Sequence, residues 1–336
     1  MELLSSRNQS DIEKAASCLA QGGIVAFPTE TVYGLGGDAF NVAALARIFE
    51  IKNRPYFDPL IIHIAELSAL DRLVLWDAMG KEAKEKFDLL IKHFWPGPLT
   101  LILPKRPELP DLANAGLPTA AIRFPAQETA KKLIKLSTGA IAAPSANPFG
   151  CLSPTKAEHV MTQLGEKVDF ILDGGRAGIG LESTVLDIST EPCRILRSGG
   201  LNRESIEAII GKVEINEFPK AGAALESPGQ LESHYAPHTP LYLYPLGELA
   251  SLPDNNNEGR LFFSAPGIDT GSPRIKVLSL KGDPVEAAVN FFDMLHELDK
   301  LGLHLIRAEE APPHGLGAAI NDRLRRASSY GIGTSS

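Results

Sequence analysis

Along the first two-thirds of the chain, apolar residues fall into two rhythms that mark the elements. Short runs of β-branched and aliphatic residues predict strands at Ile24–Phe27, Leu60–Ile64, Thr100–Pro104, Ala120–Arg123, Ala140–Ala143, Phe170–Asp173, Thr184–Ile188 and Arg194–Arg197. Between them the apolar positions take a helical period, near Asp11–Ala20, Val42–Lys52, Gly80–His93, Ala126–Ser137, Thr155–Leu164 and Arg203–Ile210. The second of these is the clearest, with Asn41 as its cap and Val42, Leu45, Ile48 and Phe49 on one face. Residues 213–240 break both rhythms with Pro219, Ala221–Ala224, Pro228, Gly229, Pro237 and Pro240, and read as a linker. The alternation then restarts with strands at Leu241–Tyr244, Leu261–Ser264, Lys276–Leu280 and His304–Ala308 and helices at Pro284–Leu301 and Leu316–Ala327. The pattern predicts an α/β sheet domain over 1–212, a linker over 213–240 and a small α/β domain with a parallel sheet over 241–336. Strand order does not follow from it. Asp254–Glu258 reads as a polar loop and Thr334–Ser336 as a frayed end.

Composition narrows the classes. A chain of 336 residues exceeds one ordinary core, and 44% hydrophobic with 22% charged residues describes a globular protein. No window is long and apolar enough for a membrane span, and the N-terminus lacks a signal-peptide pattern. Cys18, Cys151 and Cys193 are scattered, which suits the cytoplasm and offers no disulfide framework. The net charge of −8 is uneven: residues 1–213 carry 23 basic against 25 acidic groups, residues 214–336 carry 10 against 16. An acidic balance argues against stable nucleic-acid binding but leaves room for a local cationic pocket.

Candidate chemistry gathers where strands end. Ile24–Phe27 stops at Pro28 and opens into Thr29, Glu30, Thr31 and Tyr33, followed by Gly34, Gly36 and Gly37. That arrangement is either a plain turn or a ligand loop whose glycines shape the approach. Lys52 and Arg54 end the Asn41 helix, either complementing its dipole or clamping polyphosphate. Asp58 and Pro59 then lead into the strand carrying His63. Ala143–Asn147 repeats the opening design, with Pro144 followed by Ser145. Ser153 caps the next helix with Pro154 in its first turn, or Thr155 pairs with Glu158 in a capping box; a phosphate contact is compatible with either. Glu182-Ser183-Thr184 is another polar strand entrance, and Arg123 and Arg197 each need an acid or a ligand as partner. Gly315-x-Gly317 reads as a turn. His234 and His238 flank Pro237 and give no metal site, and no P-loop, catalytic triad or HExxH is present.

Together, PTETVYGLG at 28–36, KNRPYFDPL at 52–60, WPGPLTLIL at 95–103, Pro144–Asn147, Ser153–Thr155, Glu182–Val185, Arg197–Gly199, Ser227–Gly229 and His234–Pro237 resemble the YrdC-domain family in its long, two-domain form. The resemblance spans most of the chain. It implies a twisted mixed sheet with flanking helices around a cationic cavity, plus a small Rossmann-like C-terminal α/β domain. The reaction it implies joins L-threonine, bicarbonate and ATP into L-threonylcarbamoyl-AMP with release of pyrophosphate. The product then passes to the tRNA threonylcarbamoyl transferase machinery. Carried over by position, Thr31, His63, Arg123, Ala143 and Ser183 contact threonine. Lys52, Arg54, Asp58, Thr119, Ser145, Ser153, Arg197 and Tyr235 form the nucleotide side, with Lys52 and Arg54 neutralising the leaving pyrophosphate. Some relatives have Asn at the position of Asp58. Mg2+ is expected on the phosphates rather than on protein ligands, and the linker with Tyr235 is expected to act as a lid. An RNA-binding module and an adenylate-forming enzyme with another acceptor are the alternatives.

Overall fold

The computed structural model describes residues 1–216, 225–229 and 234–328. Parts of the expected linker (217–224 and 230–233) and the expected frayed end at 334–336 lie outside the described residues.

Eleven described strands form the first sheet. They are β1 (Glu2–Ser5), β2 (Val25–Phe27), β3 (Gly34–Asp38), β4 (Ile61–Ile64), β5 (Leu99–Pro104), β6 (Thr119–Arg123), β7 (Ala140–Ala142), β8 (Phe170–Asp173), β9 (Thr184–Asp187), β10 (Arg194–Arg197) and β11 (Glu214–Ile215). Their order is β1-β8-β2-β3-β7-β4-β6-β5-β9-β10-β11, with parallel and antiparallel neighbours mixed. The sheet thus runs into the segment read as linker, because β11 pairs beside β10. The second sheet, β12 (Leu241–Tyr244), β13 (Glu258–Phe262), β14 (Ile275–Val277) and β15 (Leu305–Glu309), is entirely parallel in the order β12-β15-β13-β14.

Two elements of the first sheet escape sequence patterning. Strand β1 is short and mostly exposed, so it shows no apolar alternation. Strand β3 is the glycine run expected to be a loop. Glycine weakens strands for want of a side chain to pack, but here the bulk comes from across the ladder. A Cβ at Gly36 would come within 2.8 Å of the Phe27 ring and 2.9 Å of Ile141. The glycines therefore make room for neighbouring side chains in a pleated sheet, and Gly36 and Gly37 do not line the cavity described below.

The helix Val42–Lys52 forms as its pattern predicts. The Asn41 side chain accepts from the amides of Ala43 and Ala44, and Asn53 ends the helix in left-handed geometry at φ 51°. Ser153 and Thr155 depart from expectation, since the next helix begins at Ala157 with no side-chain cap. Pro154 disfavours helical geometry at Ser153. The carbonyls of Pro154 and Thr155 bond instead to the amides of Tyr33 and Ala177.

The domains share a core. Val32, Leu152 and Leu181 of the first pack in one apolar cluster with Phe291, Phe292 and Ile320 of the second. Gly180, at φ +79°, lies directly against the second domain's helix Pro284–Asp299, since a Cβ there would collide with backbone at Ala288 and Val289. His159 and His296 stack across the interface at 3.9 Å, and Asp293 takes an ion pair from Lys156 at 2.7 Å.

Candidate active site

Strand register builds the site. His63 on β4 lies opposite Arg123 on β6, Arg123 opposite Thr100 on β5, Thr100 opposite Val185 on β9, and Val185 opposite Arg197 on β10. One row across five strands thus points to one face of the sheet, because paired residues share a face. Ile61, two residues before His63, lines the same cavity, while Ile62 and Ile122 enter the opposite core.

The cleft over this row holds about 510 Å³ of space, its opening to solvent included. Segments at four strand ends close it: Thr29 and Thr31–Gly34 after β2, Ala143–Ser145 after β7, Glu182–Ser183 before β9, and Arg197 as the last residue of β10. Arg54, Pro228, Gly229, His234 and Tyr235 complete the wall. Tyr235 is buried and left-handed at φ 63°, a conformation that costs a bulky residue free energy and persists only where surroundings enforce it.

Most polar groups are tied in place. Arg123 pairs with Glu30 at 2.7 Å and donates to Thr31 Oγ1 at 2.8 Å and to the Gly97 carbonyl at 3.2 Å. Burial works against the Glu30 carboxylate, yet its pairing with Arg123 and backbone hydrogen bonds hold its pKa below the usual value. Arg197 donates Nε and Nη2 to the Ser183 carbonyl at 3.1 and 2.9 Å, and Nη2 also to Ser183 Oγ at 3.1 Å. Its Nη1 reaches the Pro228 carbonyl at 3.3 Å, which joins the sheet to the loop above. Arg54 pairs with Asp58 at 2.8 Å and donates to the carbonyls of Asp58 and Pro59. Burial pushes the Asp58 pKa up against the pull of Arg54 and Lys52. Lys52 Nζ donates to the carbonyls of Ser145, at 2.6 Å, and Asn147. Burial, then Arg54 nearby, holds the Lys52 pKa well below its usual value.

Burial and the neighbouring Arg123 push His63 down to about 3, so it is neutral at ordinary pH. Nδ1 lies 3.2 Å from the Ile61 carbonyl. A carbonyl only accepts, so Nδ1 carries the proton and Nε2 remains an acceptor. His296 is likewise pushed down to about 3 by burial and His159. The sign for stability follows. Between pH 6.5 and 3 the unfolded chain protonates both rings and the folded chain does not. Stability is therefore complete above the unfolded pKa and falls as pH drops, by up to about 1.4 kcal/mol per unit for each ring. Urea midpoints at pH 7 and pH 5 check this. His296→Gln should shallow the dependence, and an unchanged slope would contradict it.

Residues 17–199 match the Sua5/YciO/YrdC family, described as telomere recombination, and residues 201–329 match the threonylcarbamoyl-AMP synthase C-terminal domain. The chain is 43% identical over 329 residues to the threonylcarbamoyl-AMP synthase of Pyrococcus abyssi, covering 96% of this chain and 95% of that protein. It belongs to the threonylcarbamoyl-AMP synthase family. The Bacillus subtilis threonylcarbamoyl-AMP synthase is 40% identical over 332 residues, with 96% and 94% covered. The crystal structure of P. abyssi Sua5 complexed with L-threonine is similar over 98% of both chains, with a TM-score of 0.88 at 40% identity. The mixed α/β fold with a second domain is that of the synthase family.

Against this family's pattern, the structure sorts the expected residues. Thr31, Arg54, His63, Arg123, Ala143, Ser145, Ser183, Arg197 and Tyr235 all line the cavity. Lys52 and Asp58 sit behind the wall, on the Ser145–Asn147 loop and on Arg54 respectively. Ser153 is also behind it, its hydroxyl bonded to Glu182. Thr119 starts β6 and Arg123 ends it, so the two lie about 13 Å apart along the strand. Thr119 does not line the cavity. Glu182, Gly229 and His234 were given no role by sequence. Only the polar strand entrance at Glu182 and the linker motifs signalled them.

Among the described residues no helix is long and apolar enough to cross a membrane.

Proposed function

We propose that the cavity condenses L-threonine, bicarbonate and ATP into L-threonylcarbamoyl-AMP, releasing pyrophosphate. The observation that carries this reading is the shared row, which sets His63 and Arg123 beside Arg197 in one cavity. The amine of threonine adds to bicarbonate with loss of water, giving a carbamate. A carbamate oxygen then attacks the α-phosphorus while the bond to pyrophosphate breaks. No protein nucleophile takes part; the protein holds two anions in line and stabilises departing charge.

Thr31, His63, Arg123, Ala143 and Ser183 form the threonine side. Neutral His63 offers an acceptor to the substrate's amine or hydroxyl. Arg54, Ser145, Arg197 and Tyr235 form the nucleotide side, with Lys52 and Asp58 fixing Ser145 and Arg54 from behind. The nucleotide substrate is taken as its magnesium complex. The carboxylates of Asp58 and Glu182 already face Arg54 and Arg323, so the ion would ride on the phosphates, where it would offset their charge. The reading places the enzyme in the cytoplasm and hands its product to a tRNA threonylcarbamoyl transferase.

Pyrophosphate release from ATP, with threonine and bicarbonate omitted in turn, tests the proposal. Release must need both, and release indifferent to either defeats it. Lys52→Met is expected to lower turnover by about a hundredfold with the fold kept, because two loop carbonyls lose their donor. A loss below fivefold would remove Lys52 from the argument.

A further inference from the structure

A cavity meant for ATP and the carboxylate of an amino acid should be free of acidic side chains, yet Glu182 lines it. The side chain is nearly inaccessible, and Ser153 Oγ donates to its Oε1. Its charge is met from the other domain. Arg323, 141 residues further along the chain, donates Nε to Glu182 Oε2 at 2.9 Å. The same guanidinium lies 4.8 Å from the centre of the Tyr235 ring. That ring also packs on Phe292, another second-domain residue, at 6.0 Å. Arg323 is fully buried, and its Nη2 makes no hydrogen bond among the described residues.

We infer that Arg323 is a positioning residue of the nucleotide site, cancelling the Glu182 charge and seating Tyr235 on the wall that ATP meets. The inference rests on the proposed reaction and gives the second domain a part in it. Stability alone does not explain the pair, because a buried ion pair is commonly replaced by packed apolar residues at no loss. What an apolar replacement cannot do here is neutralise Glu182. Loss of Arg323 leaves that carboxylate with the Ser153 hydroxyl but without an ion-pair partner, its charge facing incoming phosphates. Asp322, the other acid on Arg323, keeps a partner, since Arg326 Nε donates to it at 2.8 Å.

The experiment uses the full chain with Arg323→Met, Glu182→Gln and the double variant. Pyrophosphate release is followed while ATP and threonine are titrated separately. Arg323→Met should raise KM for ATP by about tenfold or more, with kcat and KM for threonine within about threefold. In the Glu182→Gln background the same change should cost less than about threefold, since no charge is left to strand. A fall in kcat with KM for ATP unchanged, or no suppression by Glu182→Gln, would mark a merely structural residue and overturn the inference. If Arg323→Met does not fold, Arg323→Gln makes the same comparison. A wild-type enzyme that ignores threonine and bicarbonate defeats the reaction instead. Calorimetric binding of ATP to the same variants then still decides whether Arg323 offsets Glu182.

Discussion

Replacing Arg197 by alanine is expected to lower kcat/KM for ATP by about a thousandfold, and replacing it by lysine by nearly as much. The guanidinium fork spans three groups at once, the Ser183 carbonyl, Ser183 Oγ and the Pro228 carbonyl. An ammonium can keep the charge but not that planar spread. Removal also leaves the buried Ser183 carbonyl without its donor, at about 1–3 kcal/mol. Initial rates with ATP varied at saturating threonine provide the measurement, with the thermal midpoint as control for folding. A lysine variant within tenfold of wild type would show that charge alone suffices. An alanine variant within tenfold would remove Arg197 from the site.

Gly229→Ala should be nearly as damaging, with about a hundredfold loss in kcat/KM for ATP. Gly229 has φ +82°, and a Cβ there would collide with the Tyr235 hydroxyl and lie 3.2 Å from Arg197 Cδ. The backbone strain costs about 1–2 kcal/mol, and the displaced tyrosine supplies the rest. Gly247→Ala separates the two contributions, because Gly247 has φ +84° with nothing within 4 Å of its added Cβ. That variant should lose stability but little activity. Equal kinetic losses in both would mean that strain, and not the collision with Tyr235, is responsible.

How much of this was legible depended on where the partner lay. The helix Val42–Lys52 was readable because its cap, apolar face and stop all fall within a dozen residues of one another. Strand Phe170–Asp173 was readable from its local apolar run, and the parallel second sheet from the alternation of strands and helices. The glycine strand β3 was not, because its reason is the ring of Phe27 across the ladder, and glycine by itself signals a turn. Ser153 carried a false signal: its hydroxyl answers to Glu182, 29 residues on, and not to its own helix. The family resemblance, carried over by position, named nine residues that line one cavity, but it could not separate Thr31, on the wall, from Lys52, behind it. Thr119 and Arg123 share a strand, and only strand length and direction part them. The Glu182–Arg323 pair was out of reach, since nothing near either residue names the other.

The row from His63 through Arg123, Thr100 and Val185 to Arg197 has a consequence for how the protein acquires its activity. Those residues become neighbours only when the sequence-distant pairings of β4 with β6 and of β5 with β9 have joined the nearer ones. Such non-local pairing is slow to form. A chain with only part of its central sheet assembled lacks the complete binding surface, so recognition of substrate comes late in maturation. By mass action, a ligand gripping that row opposes every opening that unzips β4, β6, β5, β9 or β10. Amide exchange in those strands should slow together when ligand is added, as one cooperative unit.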